Sequence, residues 1–154
     1  LDSYAKELKY LEYFLERKAQ KHRPDYYAQL RTIPGIGIIL AMTILYEIGD
    51  IERFESVQTF ASYCRLVKCK AESAGKTYGT SGNKIGNGHL KWAFSEAAVL
   101  YLRGNDKARR YLTKLQKRMS KAKALSVLAH KIGRCVYYML KHKTVFDDER
   151  FLTA

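Results

Sequence analysis

The residues of this chain best suited to chemistry fall in one stretch, Glu72-Ser73-Ala74-Gly75-Lys76 followed by Asn83-Lys84-Ile85-Gly86-Asn87. A serine hydroxyl lies there among small residues, with two lysines close by in sequence. Serine attack on a phosphodiester needs such a setting: the hydroxyl is a poor nucleophile until a base takes its proton, and the five-coordinate phosphate that forms needs cations or backbone N–H donors around it. Lys76 and Lys84 can supply the charge, while Gly75, Gly79, Gly82 and Gly86 allow backbone amides to reach the phosphate. On spacing alone Ser81 is as plausible as Ser73, and a serine in a glycine-rich loop is more often a turn former than a nucleophile.

A second candidate lies upstream. Leu30, Ile33, Gly35, Ile36, Gly37 and Ala41 give the order apolar, apolar, Gly, apolar, Gly, Ala that matches a helix-hairpin-helix motif. Two glycines permit positive φ and close approach. The following helix opens with unpaired N–H groups and the positive end of its dipole, so a phosphate fits there and is held without any base being read. The plain alternative is a glycine turn joining two core helices.

The whole chain has the charge to go with these candidates. Its 154 residues fit one domain, and 28 Lys plus Arg against 15 Asp plus Glu leave a net charge of +13, which points to a polyanionic partner. The densest basic run is Lys107, Arg109, Arg110, Lys114, Lys117, Arg118, Lys121 and Lys123, offset only by Asp106. No apolar stretch reaches the ~18 residues a membrane span needs, the longest being Ile36 to Tyr46, interrupted by Gly37 and Thr43. Three cysteines, Cys64, Cys69 and Cys135, lack the partners for a metal site or full pairing and read as reduced thiols. The opening Leu1-Asp2, with no secretory leader, reads as the start of a fragment.

Helical periodicity must position these groups. Leu1, Tyr4, Leu8, Leu11 and Leu15 make a seam with three- and four-residue steps up to about His22, the pattern of a coiled coil or of one amphipathic helix packed on its own core. Pro24 ends it. Short helices are expected over Tyr26–Ile33, Ile38–Ile48 and Ser56–Val67, then a loop from Lys68 to Gly88, then helices over His89–Arg103, Asp106–Met119 and Lys121–Lys143. The expected fold is all-α, containing the helix-hairpin-helix and the long Gly/Lys-rich loop, preceded by the coiled-coil-like helix. A loop of this length is commonly functional. His89 and His130 could act as bases, but without a carboxylate partner each reads better as packed or solvated. Trp92 reads as core in preference to a base-stacking platform, and Asp147-Asp148-Glu149 as a solvated chain end in preference to a metal site.

Taken in order, Ile33-Pro34-Gly35-Ile36-Gly37, Glu47-Ile48-Gly49-Asp50-Ile51, Arg53-Phe54, Tyr63-Cys64-Arg65-Leu66-Val67, Glu72-Ser73-Ala74-Gly75-Lys76 and Lys84-Ile85-Gly86-Asn87 resemble the C-terminal transposase domain of DEDD-type insertion-sequence transposases, relatives of the Piv-type DNA invertases. The resemblance runs from about Tyr26 to Phe146. It divides the chain into residues 1–23, the end of a coiled-coil linker helix, and residues 24–154, the transposase domain.

The resemblance implies DNA recombination, with a serine of this domain forming a transient covalent link to DNA. That serine maps to Ser73, and Gly35, Ile36, Gly37, Lys76, Lys84, Gly86 and Asn87 map to DNA contact. The implied partners are DNA, a structured guide RNA in some members, and further copies of the full-length protein in a prokaryotic cytoplasm at the nucleoid, with no membrane. No cofactor is implied for this fragment; magnesium belongs to a RuvC-like N-terminal domain absent from it. The alternative is a non-catalytic helix-hairpin-helix scaffold for nucleic acid. The chain departs from the commoner family pattern at Arg65, Lys68, Ser73-Ala74-Gly75 and Lys84-Ile85-Gly86-Asn87.

Overall fold

Pro24 decides the first junction. It has no N–H to donate and restricts the residue before it, so α1 (Asp2–His22) stops at His22 and α2 (Pro24–Arg31) begins on the proline itself, two residues earlier than expected. The computed structural model describes residues 2–67, 72–73, 76–77 and 85–153. After α2 come α3 (Ile38–Ile48), a 3-10 turn (Ile51–Arg53) and α4 (Val57–Tyr63). Then follow β1 (Glu72–Ser73) and β2 (Lys76–Thr77), α5 (Gly88–Tyr101), α6 (Asp106–Gln116), α7 (Lys121–His142) and α8 (Asp148–Thr153). The fold is all-helical, as the periodicity predicts. A two-residue antiparallel pairing, Glu72 with Thr77 and Ser73 with Lys76, lies within the expected loop.

Side-chain caps set the helix starts. Ser56 Oγ accepts from Thr59 N, Asn87 Oδ1 from Leu90 N, Asn105 Oδ1 from Ala108 N and Ser120 Oγ from Lys123 N, each satisfying a donor that the first turn leaves free. α4 ends at Tyr63, short of the expected Val67, because Arg65 takes a left-handed φ of 56°.

Helices α5 and α7 pack together at the centre through Ala93, Phe94, Ala97, Leu128, Ile132 and Val136. Gly133 of α7 leaves the space into which Leu66 inserts, since a Cβ there would collide with the leucine methyl. Phe60 is wholly buried, with its ring 5.1 Å from Phe54, 5.6 Å from Tyr137 and 6.2 Å from Phe94.

One expectation is corrected and two are refined. Trp92 is about half exposed on α5 and is not core. In the acidic chain end Asp147 and Glu149 are exposed, as expected, but Asp148 is half-buried and accepts from Tyr101 Oη and Asn105 Nδ2, while Phe151 of α8 is buried against Tyr101. The apolar seam of α1 is not laid on this core, for Tyr4, Leu8, Leu11 and Leu15 are all exposed and only Ala19 of that helix is buried. Cys64 and Cys135 carry free thiols, as expected; Cys69 lies outside the described residues.

The closing segment ties the two ends of the domain together. Gln29, buried in α2, donates through Nε2 to the carbonyls of Met139 and Thr144, and Phe146 N donates to Thr32 Oγ1 at 3.0 Å.

Candidate nucleic-acid interface

Gly35 and Gly37 do different things. Gly35 has φ +91°, and a Cβ on it would lie 2.6 Å from Tyr101 N and 2.8 Å from the Leu100 carbonyl carbon, so the turn presses its backbone directly onto the end of α5. Ile36 beside it is buried, and its carbonyl accepts from Arg31 Nη1 at 3.1 Å. These two candidate phosphate residues therefore face inward. Gly37 faces outward: it is exposed, caps α3 with no side-chain hydrogen bond, and has nothing nearer its missing Cβ than Arg31 Nη1 at 3.9 Å.

The amides at the start of α3 open into a cleft of about 530 Å³. Arg31, Gly37 and Ile38 line it on one side, with Glu12, Tyr13 and Glu16 of α1 on the other. Glu16 accepts from Tyr27 Oη at 2.6 Å, and burial followed by that carboxylate pushes the Tyr27 phenol up to about 12. Two carboxylates against one guanidinium make this mouth less cationic than the sequence motif suggests.

The second assembly forms where the chain leaves and re-enters the long loop. Asn87 N donates to Tyr63 O at 2.6 Å, and Asn87 Nδ2 donates to Glu47 Oε2 and, at 3.5 Å, to Tyr63 Oη. Gly86 has φ +106°, and a Cβ there would stand 2.6 Å from Tyr63 O and 2.9 Å from Arg65 Cγ, so only glycine permits this approach. Arg53 lays its guanidinium 4.7 Å from the Tyr63 ring centroid and 4.6 Å from that of Phe54, and its Nη2 donates to Glu47 O at 3.4 Å. Arg65 Nε is buried with no hydrogen-bond partner among the described residues, and the space where a Cβ of Gly88 would stand is 3.5 Å from Arg65 Nη1.

Glu47, Arg53, Tyr63 and Arg65 thus surround the two stems of the loop, joined by Gly86 and Asn87. Only the last two stood out in the sequence as candidate site residues. The others belong to short motifs whose meeting depends on how α3, α4 and α5 pack, which spacing along the chain does not reveal.

These two assemblies are separated by the length of α3. Helix α3 meets the end of α5 at its own start, through Gly35, and meets the start of α5 at its own end, through Glu47 and Asn87, so the two helices run antiparallel. From Ile38 to Glu47 the rise is roughly 14 Å.

Of the remaining candidates, Ser73 and Lys76 are described by backbone alone, as a paired position, and Ser81 and Lys84 lie outside the described residues. His89 is exposed. His130 is partly buried, and burial, reinforced by Arg134, holds it below the usual histidine range, which suits a packed residue better than a proton carrier. Burial pushes the Cys135 thiol up to about 11 and the Cys64 thiol further, so neither is a ready nucleophile. Among the described residues no group of three or more His, Cys, Asp or Glu could hold a metal ion, and no helix is long and apolar enough to cross a membrane.

Comparison with known proteins places the chain among insertion-sequence transposases. Over 120 residues, 77% of this chain, the sequence is 26% identical to an uncharacterized 43.6 kDa protein of insertion element IS110 from Streptomyces coelicolor. Over 139 residues, 88% of the chain, it is 24% identical to the transposase of insertion sequence element IS1111A from Coxiella burnetii. The chain covers 30% and 38% of those two relatives, about a third of their length. Residues 27–113, more than half of the chain, match the transposase family described as IS116/IS110/IS902, and the chain belongs to that family.

Proposed function

We propose that this chain is the DNA-binding and serine-nucleophile portion of a transposase, the C-terminal part of a DEDD-type enzyme whose metal-binding domain lies outside it. The observation that carries the reading is the clamp on the long loop: Gly86 and Asn87 are drawn onto Tyr63, Arg65 and Glu47, so the segment bearing Ser73, Lys76 and Lys84 departs from and returns to one rigid, arginine-bearing platform. A nucleophile requires such fixed support, because a small misplacement of the reacting atom costs orders of magnitude in rate.

In this reading Ser73 Oγ forms a bond to a DNA phosphorus while one phosphate ester oxygen leaves; the serine proton passes to a base and the departing oxygen takes up a proton. Lys76, Lys84 and loop amides balance the charge on the phosphate. Gly37 and the opening amides of α3 hold a second phosphate, with Gly35 and Ile36 shaping the turn behind them. Magnesium is expected in the metal-binding domain outside this chain, and no step here is routed through it.

The test uses the full-length transposase. Ser73→Ala is expected to abolish a covalent protein–DNA adduct, detected by denaturing electrophoresis and mapped by peptide sequencing, with DNA affinity changed less than twofold. An adduct that survives Ser73→Ala and disappears with Ser81→Ala moves the role to Ser81. If full-length protein that recombines DNA gives no adduct on either serine, the scaffold reading replaces this one.

A further inference from the structure

The basic run that the loop and hairpin leave unused folds as one face of α6. Ala108 and Leu112 of that helix are buried, with Tyr111 and Leu115 half-buried beside them. The opposite side carries Arg109, Arg110, Lys114 and Lys117, all exposed, and Arg118, also exposed, follows in the turn after the helix. At 100° per residue, Arg110, Lys114 and Lys117 share a sector of roughly 60° and follow one another at steps of about 6 and 4.5 Å along the axis. That spacing is comparable with the separation of neighbouring phosphates on one strand.

The face is available. Lys107 pairs with Glu149 and Arg109 with Asp106, whereas Arg110, Lys114, Lys117 and Arg118 form no ion pair among the described residues. The side chains of Asp106, Arg109, Arg110, Thr113, Lys114 and Lys117, all on or capping α6, border one open stretch of this helix surface. Asn105 caps the helix and also donates to Asp148 at 3.4 Å, so α6 is held at its start against α8 while its cationic side stays clear.

From this geometry we infer that the exposed face of α6 is a separate phosphodiester-binding surface, one that tracks a nucleic-acid strand through Arg110, Lys114, Lys117 and Arg118 and reads no bases. A single line of cations with no apolar ridge alongside it complements a polyanion backbone, and two arginines add forked donors suited to phosphate oxygens. The inference needs only the nucleic-acid half of the proposed function and is independent of Ser73.

The chain is titrated with duplex DNA and with duplex RNA of the same length over a range of salt concentrations. Each phosphate neutralised on B-form DNA adds about 0.9 to the slope of log affinity against log salt. Changing Arg110, Lys114, Lys117 and Arg118 together to Gln is expected to lower that slope by about 3 to 4 and to weaken binding at least tenfold at moderate salt. The control changes Lys6, Lys9, Lys18 and Lys21, all exposed on α1, to Gln, which removes the same net charge. Its slope is expected to fall by less than 1.

Loss with DNA alone or RNA alone supports the surface and names the acid it holds. Equal loss in both fourfold variants reduces the effect to net charge and overturns the inference. So does an unchanged slope, or poly-glutamate competing for the face as well as nucleic acid does. If the fourfold α6 variant melts early, Lys114→Glu serves instead, with an expected slope change of about 1 and none refuting the contact. An intact Ser73 adduct alongside failure here leaves the proposed function standing without this surface.

Discussion

Alanine at position 35 separates packing from phosphate binding at the turn between α2 and α3. Gly35 lies at φ +91°, where an L side chain costs about 1–2 kcal/mol. Its new Cβ would meet Tyr101 N at 2.6 Å and the Leu100 carbonyl carbon at 2.8 Å. Both are backbone atoms inside a helix and cannot swing aside as a side-chain tip would, so the turn or the end of α5 must move, which adds about 1–3 kcal/mol. A combined cost near 3 kcal/mol corresponds to a melting temperature roughly 6–12 °C lower for a domain of this size.

Gly37→Ala is the matched control. The same methyl meets open space from an extended backbone, so its cost stays below about 1 kcal/mol. Thermal melts followed by circular dichroism, with urea midpoints alongside, measure both. Equal melting of the two variants, or a Gly35→Ala protein within 2 °C of the unaltered chain, would refute the close approach of this turn to α5. Gly37→Asp then isolates binding: its carboxylate can cap α3 without loss of stability, yet stands where a phosphate is proposed to sit. DNA affinity is expected to fall several-fold, and unchanged affinity removes the turn from the interface.

Two further outcomes test the platform and the interior. Asn87→Ala should cost about 1–2 kcal/mol by removing the α5 cap and the donor to Glu47, and Asn87→Ser, which restores a cap alone, should recover about half in urea unfolding; equal stability of the Ala, Ser and native chains would show that the clamp carries no energy. His130, with its pKa held down in the fold, stabilises fully above the unfolded value near 6.5 and loses that contribution as pH falls through it. The urea midpoint of the native chain should therefore drop more steeply than that of His130→Gln between pH 7.5 and 5; parallel curves would mean that the side chain is solvated.

Much of this architecture was legible because apolar period and capping residues are local signals. The helix starts expected at Tyr26, His89, Asp106 and Lys121 fall within about two residues of the observed ones. What was not legible depends on partners far away in sequence. Phe151 is the one buried residue of α8, so no period betrayed that helix, and its burial follows from distant partners such as Tyr101 and Phe146. Trp92 looks like core by residue type, yet the small residues Ala93 and Ala97 hold the packed side of α5 and leave the indole outside. The hairpin motif named Gly35 and Gly37 as a pair, but only the position of α5 distinguishes the glycine that packs from the one that faces solvent. In the same way the motifs holding Glu47, Tyr63 and Asn87 are separate runs of letters until α3 and α5 are laid antiparallel.

That antiparallel pair constrains how the proposed DNA partner would engage the chain. The opening amides of α3 and the loop clamp are fixed at its two ends, roughly 14 Å apart by helical rise, and the apolar packing between α3 and α5, from Ile44, Leu45 and Ile48 to Leu90, Phe94 and Ala97, gives them little freedom to approach each other. Neighbouring phosphates on one strand lie roughly 6–7 Å apart in space, the 3.4 Å per phosphate being rise along the duplex axis only, so the interval corresponds to about two such steps. If the turn holds one phosphate and Ser73 attacks another that is held beside the clamp, the attacked phosphate should lie about that many steps from the one protected by Gly37. Footprinting the adduct-trapped complex with a reagent that reports phosphate contacts should therefore show protection about two nucleotides from the linked position, or directly across a groove from it. Protection that ends at the linked nucleotide would mean that DNA reaches the loop without touching the turn, leaving Gly35 and Gly37 as packing elements.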